Sequence, residues 1–174
     1  MEFLASLHPK VVHFAIALLS VYVLFEILYA IFKKDVFNQA AMYILLFGVL
    51  GAVASLLTGN QAYHYAEYLF DNYNVKIPLG LMEEHEEFAK ITTLWFTGLL
   101  IIRFFLNIKN KLNNYLHILV LFLAIVGMYF IYETGEHGGK LVYEHGVGTK
   151  LIEKDIHKPT QPNVLDKEKF EEDD

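Results

Sequence analysis

Four long apolar runs divide this chain, at residues 11–32 (VVHFAIALLSVYVLFEILYAIF), 40–59 (AAMYILLFGVLGAVASLLTG), 88–106 (FAKITTLWFTGLLIIRFFL) and 115–132 (YLHILVLFLAIVGMYFIY). At 1.5 Å of rise per residue, each is about long enough to cross a hydrocarbon core of roughly 30 Å. Helices on the surface of a soluble bundle keep a polar face, and these runs show none. The charges inside them are confined to Glu26, Lys90 and Arg103. The reading is therefore all-α: an integral membrane bundle of four helices, with both termini on one side of the bilayer. Residues 1–150 form the membrane domain, including a Gly-rich histidine loop at 135–149. Residues 151–174 turn polar and Pro-containing and read as a solvated tail.

Charge orients the bundle. With side A defined as the side of the termini, the short connections on side B hold Lys33, Lys34, Lys109 and Lys111. The side A loop at 60–85 holds Glu67, Asp71, Glu83 and Glu84 against Lys76. The positive-inside rule then makes side B cytoplasmic and side A extracytoplasmic, in the cell membrane. Pro9 suits a first helical position. Tyr63, Tyr65, Tyr68 and Tyr73 suit an interfacial loop. The first run lacks the basic n-region and small-residue cleavage site of a signal peptide. Glu26 lies toward side B and is expected to pair with Arg103 or Lys33.

Histidine placement carries the functional information. Of the eight histidines, His8, His13, His64, His85, His137 and His145 fall at the side A ends of different spans; His117 is alone on side B, and His157 is in the tail. Ionisable groups at membrane depth are costly and usually functional. His8 and His13 are five apart, about 140° around a helix, so they suit two different centres better than one. The zinc-type HExxH pairing is absent. Cysteine is absent too, which excludes disulfides, thiolate metal sites, iron–sulfur clusters and covalent haem attachment. No basic stripe suggests nucleic acid.

Haem b suits such a cluster better than bare metal ions, because bundle cores hold haem between facing helices with imidazoles from two segments. Two haems are expected. The small residues Gly51, Ser55 and Gly59 on the second run could form a slot for the ring, although the same strip also suits close helix packing. The stretch HGGKLVYEHGVG (137–148) is too Gly-rich for a helix. Its Gly138, Gly139, Tyr143 and Gly146 could fold against a porphyrin edge and return His145 to the bundle mouth.

The stretches LHPKVVHFAIALL (7–19), ASLLTG (54–59), EEHEEFAK (83–90) and GGKLVYEHGVG (138–148) resemble a family of small bacterial four-span membrane proteins catalogued as a domain of unknown function. Some of its members look like dihaem b-type cytochromes. The resemblance spans about residues 7–148 and implies ligands at His8, His13, His85 and His145. The residues themselves leave the fourth ligand open: His13, His85 and His145, with His8 or His64 completing the set.

Three functions compete at this stage. The leading expectation is a dihaem b-type cytochrome moving single electrons near the extracytoplasmic face, with a redox carrier or membrane quinol as partner. It would be an electron carrier rather than an enzyme. The others are a copper, di-iron or quinol oxidase with one ligand position open, and a structural membrane subunit.

Overall fold

A computed structural model describes residues 2–73, 75–108 and 113–149. The tail expected at 151–174 lies outside the described residues. Four helices make up the fold: α1 (Glu2–Phe32), α2 (Asp35–Tyr73), α3 (Leu79–Ile108) and α4 (Asn114–Tyr143). The helix α1 packs on α2 and α4, and α3 packs on α4 and α2, which closes a ring. Short connections make neighbouring helices antiparallel.

All four helices are long and apolar enough to cross a membrane. Only 28–33% of the residues in their most apolar stretches are buried. Side chains such as Phe47, Leu57, Leu94, Phe104 and Phe122 are exposed, as a lipid-facing surface requires. Within the ring, Ala15, Leu19, Tyr22, Leu45, Phe96, Val120 and Ala124 form the main core. Tyr22 meets Phe96 edge to face at 6.3 Å. Phe96 fills the notch at Gly127, where a Cβ would lie 2.5 Å from its Cζ.

The helices outrun the apolar segments at the His8 end, which corrects several expectations. The segment from Asn60 to Tyr73, read as loop, continues α2 without a break. Its Tyr63, Tyr65, Ala66 and Leu69 pack with Val75, Ile77, Met82 and Leu141 into a second core beyond the apolar runs. Pro9 does not start α1 but lies inside it, since the helix begins at Glu2. A proline forfeits one intrahelical bond and need not end a helix whose neighbours hold it in place.

The Gly-rich loop expected at 135–149 is helical as far as Tyr143. Gly135, Gly138 and Gly139 are therefore helical residues: packing overrides the roughly 1 kcal/mol per glycine that disfavours a helix. The turn comes later. Gly146, at φ +68°, lets the Val147 amide donate to the Leu141 carbonyl at 2.9 Å. That returns Val147 to the second core and leaves His145 exposed.

Candidate functional site

Two of the predicted histidines come together, and all four helices build the place where they meet. His8 of α1 and His85 of α3 stand with ring centroids 6.4 Å apart and planes at 76°. The backbone of α2 reaches His8 at Gly59, and the backbone of α4 reaches His85 at Gly138. A Cβ at Gly59 would lie 2.9 Å from His8 Cε1, and one at Gly138 would lie 3.0 Å from His85 Cε1. Neither position admits a side chain without moving an imidazole. These two glycines make room for the rings of the two histidines.

Each ring is anchored through Nδ1. His85 Nδ1 donates to the Thr134 carbonyl at 3.0 Å. Thr134 also bonds Thr92 through their hydroxyls at 2.9 Å, tying α4 to α3 beside the ring. His8 Nδ1 lies 3.1 Å from Thr58 Oγ1. That hydroxyl spends its own proton on the Ala54 and Ser55 carbonyls of its helix at 3.0 and 3.1 Å, so it accepts from the imidazole. The Ser55 carbonyl also interacts with the His8 ring. A neutral His85 therefore carries its proton on Nδ1 and leaves Nε2 as a lone pair, while His8 is held by the Thr58 hydroxyl and the Ser55 carbonyl. This is the second-shell pattern of metal-ligating histidine, in which an oxygen acceptor fixes the tautomer and orientation of the ring.

The other predicted residues lie elsewhere. His13 is exposed on α1, its Nδ1 bonded to the Pro9 carbonyl one turn back. His64 is exposed and pairs with Glu67 at 3.0 Å. His137 stacks on Phe88 with centroids 4.8 Å apart and places Nε2 3.6 Å from Glu84. His145 is exposed. Of the six, His8 and His85 meet edge to face, with His137 also within electrostatic range of His85, and among the described residues no group of three or more His, Asp or Glu side chains could hold a metal ion.

The predicted small residues divide in the same way. A Cβ at Gly51 would meet Phe14 Cδ1 at 3.2 Å, so Gly51 serves the packing of α2 on α1. Ser55 Oγ donates to the Gly51 carbonyl of its own helix at 2.9 Å. Gly139 and Tyr143 line a groove on the outer face of α4 with Tyr132 and Lys140, away from the imidazole pair. Gly146 serves the turn after α4. Sequence reasoning missed Thr58, Thr92 and Thr134: a threonine in an apolar helix usually bonds its own preceding turn, and nothing local marks the ones that also reach a neighbour.

His117 is not alone at the other end of the bundle. Its Nε2 lies 3.1 Å from Glu26 Oε2, and Glu26 pairs with Arg103 at 3.0 Å. The expected Glu26–Arg103 pair is therefore present, with the histidine as an unforeseen third member.

No curated protein and no solved structure matches the chain. A family model does, over residues 5–151, a stretch that includes all four helices and both anchored histidines. The chain belongs to the family described as predicted membrane protein (DUF2231).

Proposed function

We propose that this multi-pass membrane protein is a b-type cytochrome that carries single electrons, in which His8 and His85 would hold a haem. The observation behind the reading is the pair of imidazoles from separate helices, 6.4 Å apart between centroids and each anchored by Nδ1. Two anchored imidazoles from separate helices, with ring centroids 6.4 Å apart, supply nitrogen donors of the kind a haem iron takes.

When bound, the haem supplies a reversible one-electron iron couple. The chain's residues do the rest. Thr134 holds the His85 ring in one tautomer and raises the basicity of its free nitrogen, and Thr58 anchors the His8 ring. Two imidazoles holding one iron would suit electron transfer rather than oxygen chemistry. The threonines and the two glycines restrict ring movement, so little reorganisation accompanies a change of charge.

One such centre is proposed, at His8 and His85. The lysine bias of the opposite end supports an extracytoplasmic position for this one, with a soluble redox carrier or membrane quinol as electron partner. The test is a visible spectrum of protein purified from haem-replete cells, oxidised and then dithionite-reduced, with haem quantified as the pyridine haemochrome. About one haem per chain is expected, lost in both His8→Ala and His85→Ala. Wild-type protein that is folded and haem-free defeats the proposal.

A further inference from the structure

At the opposite end of the bundle, all four helices contribute to a second polar cluster, one that the cytochrome reading does not use. Tyr22, Glu26 and Tyr29 come from α1, Asn38 from α2, Arg103 from α3 and His117 from α4. Glu26 is 0% exposed, His117 1% and Arg103 3%. Arg103 Nη1 reaches the Glu26 carboxylate at 3.0 and 3.2 Å. Its Nη2 donates to the Asn38 carbonyl and side-chain oxygen at 3.1 and 2.9 Å.

That pair is already neutral, so His117 is not needed to balance charge. Burying a further ionisable ring has its own desolvation cost. With Nε2–H donating to Glu26 Oε2 at 3.1 Å, Nδ1 is left as a lone pair. It is buried and has no partner. Among the described residues, His117 Nδ1 is thus a buried side-chain polar atom without a hydrogen bond, whereas Glu26 Oε1 takes the 3.0 Å contact of Arg103 Nη1 and Tyr22 interacts with Glu26.

We infer that His117, backed by Glu26, is a proton-binding site: the imidazole takes up one proton on Nδ1 and releases it again. The proton comes from water or a buffer acid on the near side of the membrane. It forms one N–H bond, and nothing is oxidised or reduced. Glu26 stabilises the imidazolium. Arg103 opposes it, as does the positive N-terminal end of α4, where the His117 amide donates to the Asn113 carbonyl at 2.9 Å. The ring of Tyr29 stands 4.6 Å away at 86° and lies beneath Lys33 Nζ at 5.7 Å; Tyr22 and Asn38 complete the surroundings. The path is short: His117 is three residues into α4, about 5 Å below its end. This inference does not depend on haem.

The test uses the full chain labelled with ¹⁵N-histidine, in phosphatidylcholine liposomes, with solid-state NMR spectra recorded from pH 8 to pH 4. His117 is identified by the signal lost in His117→Gln, and independently by its contact with the Tyr29 ring should that variant not fold. A neutral ring protonated on Nε2 is expected at high pH, converting reversibly to imidazolium on acidification. In Glu26→Gln the conversion should move at least tenfold in proton concentration toward acid. A His117 ring that keeps one neutral form to pH 4 while Trp95 fluorescence reports a folded bundle overturns the inference. So does a ring doubly protonated at pH 8.

Discussion

Gly59 and Gly138 offer a way to disturb the imidazole pair with little damage to the bundle. A methyl group at Gly138 would sit 3.0 Å from His85 Cε1, where carbon atoms rest at about 3.5–4.0 Å. The ring must withdraw by about 0.5 Å or more. Its 3.0 Å bond to the Thr134 carbonyl then stretches toward about 3.5 Å, where a hydrogen bond is all but lost. Losing that bond costs about 1 kcal/mol. Replacing a helical glycine by alanine returns about 1 kcal/mol of helix propensity, so the net change in stability is near zero. Gly59→Ala acts on His8 in the same manner through its 2.9 Å contact with Cε1. Gly135→Ala is the control, since nothing lies within 4 Å of its added methyl: it gains the helix term alone.

The assay pairs differential scanning fluorimetry on the single tryptophan with haem content and the reduced-minus-oxidised spectrum. Gly59→Ala and Gly138→Ala should stay within about 1 kcal/mol of wild type in stability and yet lose haem or shift its bands. Gly135→Ala should bind as wild type and unfold slightly later. A Gly59→Ala, Gly138→Ala double variant with unaltered haem content and spectrum would refute the assignment of these glycines to ring positioning.

Three further outcomes follow from the packing. Glu26→Gln leaves the Arg103 guanidinium buried without a counter-ion and should cost about 3–5 kcal/mol; Glu26→Leu combined with Arg103→Met should recover most of that loss, measured by the same fluorimetric melt. Gly127→Ala drives a methyl to 2.5 Å from Phe96 Cζ, and Phe96 is fully buried. An overpacking cost of about 1–3 kcal/mol, less the helix gain, should lower the melting temperature. Asn113 caps α4 by accepting the Leu116 amide at 3.0 Å, so Asn113→Ala should cost about 1 kcal/mol and increase amide exchange in the first turn of α4.

The spans were legible because a bilayer selects on length and apolarity, and both are local properties. The helix ends were not. Tyr63, Tyr65, Leu69 and Leu141 look interfacial in isolation, and only their mutual packing shows that α2 and α4 continue past the apolar runs. The same limit affected the Gly-rich segment. Gly138 reads as a turn residue, whereas it is a helical position cut back to admit a ring that lies far away in sequence.

Sequence alone determined that this chain crosses a membrane as four helices, that thiol chemistry is absent, and that histidines accumulate toward one end. Those are matters of composition and spacing along a helix. Tertiary structure decided which histidines meet: His8 with His85, while His13, adjacent in the apolar run, turns outward. It also decided that His117 belongs with Glu26 and Arg103. The physical reason is rotational. A helix fixes where residues lie along its axis, but the azimuth at which it faces its neighbours is set by small contacts such as Gly59 on His8 and Gly138 on His85, and these exist only once the helices have packed.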